Sequence, residues 1–266
     1  MGSALVTGAT SGIGLEIAWQ LAAERNDLVL VARTTARLEE LAEQIRQVAG
    51  VRVEALSADL ATSTGALAVA DRLRSTTRPI GLLVNNAGFG LGQDFVGGEL
   101  SRELAALDAM VRAVLITSHT AASEMVARGR GAILNVASMT ALTAQGTYSA
   151  HKAWVRTFTE GLAAELRGTG VTATTVCPGL VRTEFHERSH VDAGQWPAFA
   201  FTTPAHVAEV ALEAARRGRV LVTPTLRYKA VAAALKVAPR SVVRRVAGPG
   251  LSGRDEASMR SASVPG

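Results

Sequence analysis

Short apolar runs alternate along the chain with longer stretches whose apolar residues recur at helical spacing. The runs ALVTGA, DLVLVAR, VRVEALSA, IGLLVNNAG, GAILNVAS, VTATTVCPG and RVLVTP read as strands. Strands that are apolar throughout and separated by helices pair in parallel, with both sheet faces covered. Between Thr34 and Gly50, TTARLEELAEQIRQVAG spaces Leu38, Leu41, Ile45 and Val48 as a helix does and closes on a glycine, which predicts a crossover helix. Thr203 before Pro204 predicts a capped helix running through Arg217. The pattern is read as one α/β domain over residues 1–225, its mainly parallel sheet flanked by helices on both faces. A basic amphipathic helical extension is expected over 226–247, and the Gly, Ser, Pro and Arg content of 248–266 reads as a disordered tail. No internal repeat is visible.

With 266 residues, 48% of them hydrophobic, the chain can fill one large core. The lone Cys177 excludes an internal disulfide framework and suits a reducing compartment. No apolar run is read as long enough to span a bilayer, and neither a secretory signal nor a myristoylation pattern stands at the start, so a soluble cytoplasmic protein is expected. The net charge of +5 hints at nucleic acid until it is located: Arg216 to Arg254 carries ten Lys and Arg and no acid, leaving 18 basic against 23 acidic side chains elsewhere. The basicity is local, no aromatic-studded groove accompanies it, and nucleic-acid binding is not expected.

The chemistry begins at LVTGATSGIG, which sets Gly8, Thr10, Ser11, Gly12, Ile13 and Gly14 directly after the first strand and at the mouth of a helix. Glycines there let the chain turn tightly, and the open N–H groups of the helix start can hold a pyrophosphate. About twenty residues on, where a carboxylate accepts the ribose 2′-hydroxyl of NAD, the second strand ends in Ala32 and Arg33. A guanidinium suits phosphate oxygens, so NADP(H) is expected over NAD(H), with a solvated surface arginine as the alternative. Asp59 and Leu60 close the third strand, Asp59 being placed to accept from an adenine amino group or to serve as a turn residue. In TYSAHK, Tyr148 and Lys152 are four residues apart and share a helix face. An adjacent ammonium favours phenolate, so this pair reads either as an acid–base couple tuned toward neutral pH or as part of an ordinary amphipathic helix.

Together TGATSGIG, NNAG (Asn85 to Gly88), NVAS (Asn135 to Ser138), YSAHK (Tyr148 to Lys152) and PGLVRT (Pro178 to Thr183) resemble the short-chain dehydrogenase/reductase family, in the family's order and through most of the chain. The resemblance implies a single doubly wound, Rossmann-like α/β domain, reversible hydride transfer between NAD(P)(H) and a carbonyl or alcohol, and a homodimer or homotetramer. It implies that Gly8, Gly12, Ile13 and Gly14 line the pyrophosphate turn, that Asn86, Ala87 and Gly88 border the adenosine ribose, and that Pro178, Gly179, Val181 and Thr183 face the nicotinamide. It assigns catalysis to Ser138, Tyr148 and Lys152: Tyr148 exchanges the proton, Lys152 favours the phenolate and holds the nicotinamide ribose, and Ser138 orients the substrate oxygen.

Two departures stand out. Where many members carry an asparagine that holds a water in the proton path, this chain has Met110, and a thioether cannot replace an amide there. Ser138 precedes Tyr148 by ten residues, fewer than is usual; Asn135 in the serine slot is rejected because AILNVAS reads as one strand, and Thr140 or Thr143 are stand-ins should Ser138 not reach. The segment 180–203 reads as a substrate lid, holding Phe185, Trp196, Phe199 and Phe201 of the chain's eleven aromatics, either as an apolar cover or as core. Its His186 and His190 do not make a metal site. A small hydrophobic ketone, aldehyde or secondary alcohol is the expected substrate. The basic extension reads either as a peripheral membrane contact or as a helix packed on the domain or on a sister subunit. The alternative to an NADP(H)-dependent oxidoreductase is a sensor or scaffold that keeps the fold and binds NADP(H) with impaired catalysis, as Met110 and the short loop suggest.

Overall fold

The structure is a computed structural model that describes residues 2–183 and 196–248. All seven strands form: β1 (Ser3–Thr7), β2 (Asp27–Ala32), β3 (Val53–Ser57), β4 (Leu82–Asn85), β5 (Gly131–Val136), β6 (Val171–Val176) and β7 (Leu221–Val222). They make one sheet in the order β3-β2-β1-β4-β5-β6-β7, parallel at every pairing. The chain reverses its direction of travel across the sheet between β1 and β4, so a crevice opens beyond the carboxyl ends of those strands.

Alternation along each strand assigns the two faces. Ala4, Val6, Leu28, Leu30, Leu134 and Val176 pack beneath helices α1 (Gly12–Ala23), α2 (Thr35–Ala49) and α7 (Pro204–Arg216). Leu5, Val29, Val31, Leu83, Ile133 and Ala173 face α3 (Ser63–Arg74), α5 (Ala113–Ala127) and α6 (Thr147–Glu165). In α2, Leu38, Leu41 and Ile45 are buried with Ala42, but Val48 is 76% exposed. Its turn is the last before the left-handed Gly50, so the apolar row outruns the sheet it covers. Thr203 caps α7, its hydroxyl accepting the His206 N–H at 3.2 Å, and Arg217 is the C-cap.

Helix α4 (Leu100–Leu107) runs through a π-helical turn, Asp108–Arg112, into α5. The continuous helix Leu100–Ala127 is 28 residues long and apolar enough to cross a bilayer by length and composition, which corrects the sequence expectation. Half of its most apolar window is buried within the domain, where α5 packs on α3 and the sheet. The basic extension forms two helices, α8 (Leu226–Val237) and α9 (Arg240–Val246), broken at Pro239, which cannot continue a helix. The tail expected to be disordered lies, beyond Gly248, outside the described residues.

Candidate active site

The glycine turn is held by its neighbours, and the residue types follow from how close they come. Gly8 and Gly12 adopt φ of +64° and +55°, which favours glycine. A Cβ on Gly14 would lie 2.4 Å from both the Gly8 carbonyl oxygen and Asn86 Nδ2, so no side chain fits where α1 begins. Thr7 Oγ1 donates to Val84 O at 3.2 Å and accepts the N–H groups of Asn86 and Ala87 at 3.0 and 3.1 Å. Asn86 returns the link, its Nδ2 donating to Thr7 O and Gly8 O. Its amide nitrogen is therefore a strut for the glycine turn. Across the crevice, a Cβ on Gly12 would meet Thr183 Cγ2 at 3.2 Å, which sets the segment after β6 opposite the turn. Thr10 and Ser11 lie on the same turn, partly buried, with Ile13 in the first turn of α1. Close-packed glycines at a helix N-terminus beyond the sheet's reversal point are a cradle into which a dinucleotide pyrophosphate fits.

At the adenosine end Arg33 is exposed just past β2, its guanidinium 5.9 Å from the Phe89 ring centroid. Asp59 is exposed, and one of its carboxylate oxygens accepts the Ala61 N–H at 3.0 Å, a turn contact that leaves its outer oxygen facing solvent; Leu60 is buried beneath it. Gly65 carries a constraint not read from the sequence. A Cβ there would stand 2.1 Å from the Asp59 carbonyl oxygen, so α3 approaches this turn only with glycine at that position.

Ser138 sits directly after β5 and Tyr148 near the start of α6, and the two side chains are hydrogen-bonded despite the short spacing. Asn135 is fully buried within β5. Thr143 is committed elsewhere, its hydroxyl donating to Thr140 O at 2.8 Å and pairing with Ser149, while Thr140 Oγ1 is buried with no partner among the described residues. Lys152 is 4% exposed, and its Nζ donates to Val136 O at 2.8 Å and lies 5.8 Å from the Tyr148 ring centroid. Burial lowers the ammonium from 10.5 to about 8. Burial also raises the Tyr148 phenol above its ordinary value, with the Ser138 hydrogen bond opposing that shift. For the chain alone the shift therefore runs opposite to the expected direction, with burial as its leading cause.

The short chain dehydrogenase family profile matches residues 3–193. The chain belongs to the short-chain dehydrogenase/reductase family. An uncharacterized oxidoreductase of Staphylococcus saprophyticus is 33% identical over 214 residues, 79% of this chain and 89% of that protein. Among solved structures, a short-chain dehydrogenase from Sphingobium yanoikuyae in complex with NADPH is 34% identical and superposes with a TM-score of 0.80, covering 89% of this chain and 94% of that one. The bulky-bulky ketone specific alcohol dehydrogenase from Comamonas testosteroni is 26% identical, with a TM-score of 0.77 and 92% and 98% of the two chains covered. This protein is accordingly a short-chain dehydrogenase/reductase, an oxidoreductase of the family that uses NAD(P).

Several residues of this dehydrogenase escaped the sequence reading. Asn85 and Asn135 are register partners on β4 and β5, and Asn85 Nδ2 donates to Asn135 Oδ1 at 2.9 Å and to Ser118 at 3.1 Å. Thr117 and Thr159 complete a buried polar chain that ties α5 and α6 to the strand ends carrying the site. Glu103, 9% exposed, accepts from Thr147 at 2.7 Å and from Gln93 at 3.1 Å, anchoring the start of α6. The signal was available: polar residues ending otherwise apolar strands need partners. Met110 lies in the π-helical turn, 1% exposed, packed with Leu91, Ala106 and Tyr148 and close to Gly88. Pro178 accepts the Met139 N–H at 2.8 Å, holding the ends of β5 and β6 together, and Val181 bridges to Thr202. In the segment read as a lid, Phe199 is 75% exposed and Trp196 and Phe201 are partly buried, so none of these aromatics is a buried core residue. Phe185, His186 and His190 lie outside the described residues. No cluster of three metal-ligating side chains occurs among the described residues.

Proposed function

We propose that this dehydrogenase reduces a small hydrophobic ketone or aldehyde with NADPH, and oxidises the corresponding alcohol in reverse. The observation that carries the reading is the Ser138–Tyr148 hydrogen bond beside the buried Lys152, whose Nζ lies 5.8 Å from the Tyr148 ring centroid and 3.4 Å from where a Cβ on Gly88 would stand. When bound, the nicotinamide supplies or accepts the hydride. Ser138 holds the substrate oxygen, and Tyr148 gives its phenolic proton to that oxygen in reduction and takes it back in oxidation. Lys152 presents an ammonium toward the ribose and toward the phenolate that forms. The Gly8 to Gly14 turn holds the pyrophosphate; Pro178, Gly179, Val181 and Thr183 close the nicotinamide side. The exposed apolar row Leu100, Leu104, Leu107 and Leu115 on the long helix supports a homodimer or homotetramer. The lone, buried Cys177 supports a reducing, cytoplasmic setting. Consumption of NADPH with a panel of bulky and small ketones tests the reading.

The preference for NADPH rests on Arg33, exposed where a ribose-binding carboxylate is missing. Arg33→Ala is expected to weaken NADPH binding by about tenfold or more while moving NADH binding less than about threefold. Fluorescence titration with each cofactor measures both; an equal loss for the two would remove the phosphate contact.

The burial of Met110 favours a second reading, an NADP(H)-binding sensor with impaired turnover. NADPH binding without Tyr148-dependent consumption would select it. Peripheral attachment to acidic lipid through α8 and α9 is supported by their cations and by exposed Leu226, Val237 and Val246. Co-sedimentation with acidic vesicles, lost on deleting residues 226–266, tests that attachment.

A further inference from the structure

The two walls at the substrate end of the site are the loop 139–146, which joins Ser138 to Tyr148, and the segment 178–183 with its partner 198–202. Both are fastened to the same C-terminal arm. The Tyr228 ring of α8 lies flat on Gly179, where a Cβ would stand 2.1 Å from the ring carbons. Its hydroxyl accepts the Leu180 N–H at 3.1 Å and donates to Ala200 O at 3.0 Å, stitching the two strands of the lid root together. Arg227 adds a bond to Phe201 O at 2.7 Å and another to Phe199 O. On the other wall α8 packs on the turn Met139–Leu142, Arg240 Nη1 donates to Leu142 O at 3.2 Å, and the Ala144 N–H donates to Ala247 O at 3.0 Å. Val243 and Ala247, 2% and 7% exposed, seat α9 on the domain.

We infer that the arm Leu226–Ala247 is a brace setting the width of the substrate end, with Tyr228 and Arg240 as positioning residues for the reaction proposed above. Ser138 and Tyr148 are only ten positions apart, which leaves the loop little slack, and two of its backbone groups, Leu142 O and the Ala144 N–H, are bonded to the arm. Tyr228 spans both strands of the lid root from outside, so the position of residues 179–181 follows the position of α8. Substrate fit, and not the proton chemistry, is what such a brace controls. The inference rests on the proposed function for its kinetic part and on geometry alone for its structural part.

Two substitutions that keep the core intact separate these parts. Tyr228→Phe keeps the ring on Gly179 and removes both hydroxyl bonds; Arg240→Ala removes the bond to Leu142. Hydrogen exchange on the full chain is expected to quicken at least about fivefold at Leu180 in the first variant and in the 139–146 loop in the second, with the sheet unchanged. Kinetically, the KM for a bulky ketone is expected to rise about tenfold, with kcat and NADPH affinity within about threefold of wild type, and with a smaller rise for a small ketone. Pairing Gly179→Ala with Tyr228→Ala is expected to restore part of the substrate affinity lost by Gly179→Ala alone, because the overlap with the ring is gone. Unchanged exchange in both segments would overturn the brace even if no ketone is turned over. Quickened exchange with an equal fall of kcat for every ketone would assign the arm to general stability and reject its role in substrate fit.

Discussion

Tyr148→Phe is expected to lower NADPH-dependent ketone reduction by about 10²–10⁴-fold while leaving NADPH affinity within about twofold. The substitution removes one oxygen. The ring keeps its packing against Met110 and Leu91, so the fold should survive. What is lost is the only phenolic proton placed between Ser138 and Lys152. Because burial holds the phenol above its ordinary value, it is fully protonated at neutral pH and stands ready as an acid in reduction. The opposite direction needs the phenolate and is correspondingly more dependent on positive charge nearby. Lys152, lowered to about 8, supplies that charge below pH 8 and loses it above. Reduction also leaves the phenol as phenolate, so its transition state draws on the same charge, and wild-type reduction is expected to be level up to about pH 8 and to fall as pH rises further, whereas the residual rate of Tyr148→Phe should show no step there. Initial rates across pH 6–10 with purified wild type and variant check both statements. A variant retaining a third of wild-type turnover would remove the phenol from the mechanism.

The fold was legible because its signals are local and repeated: seven apolar runs, each followed by a helical period, admit few arrangements other than a parallel sheet covered on both faces. The glycine turn was legible for a related reason, since a strand, glycines and a helix start in sequence leave one place for an anion. Ser138, Tyr148 and Lys152 were singled out through motifs, and Ser138 was preferred to Asn135 by reading a strand as continuous, which β5 is from Gly131 to Val136. What the chain order did not disclose depends on three-dimensional closeness. The sign of the Tyr148 shift turns on how much water reaches the phenol, and a spacing of four residues says nothing about that. The service of Asn86 to the glycine turn depends on β1 and β4 being neighbours, though they are far apart in the chain. Gly65 and Gly179 are small because a carbonyl and a ring from elsewhere occupy the space, and neither neighbour is visible along the chain. The 28-residue helix was missed because its apolar character is spread over two helices and a π-helical turn, with charges at intervals that masked the run.

Lys152→Met should abolish turnover and yet stabilise the cofactor-free protein at pH 7. The Nζ is almost wholly removed from water, and its hydrogen bond goes to one backbone carbonyl, Val136 O at 2.8 Å. A folded value of about 8 against an ordinary 10.5 means that the neutral amine is the form the interior favours. Between those two values the unfolded chain binds more protons than the native one, so stability rises as pH rises through that window. Below pH 8 both states are protonated and the fold carries the whole cost of burying the ammonium, on the order of 3 kcal/mol for a displacement of this size. Methionine has nearly the same reach, fits beside Met110, and removes that cost. It leaves the Val136 carbonyl without a donor, which takes back about 1–3 kcal/mol. The net gain expected at pH 7 is up to about 2 kcal/mol, or up to roughly 4–8 °C in Tm for a domain of this size. The gain should vanish toward pH 10, where wild-type lysine sheds its proton and only the loss of the Val136 bond is left. Thermal unfolding of both proteins without cofactor at pH 7 and pH 10 reads the difference directly. A variant less stable than wild type at pH 7 by as much as at pH 10 would mean that Lys152 is solvated in the native chain, and its burial beside Val136 and Gly88 would then have to be redrawn.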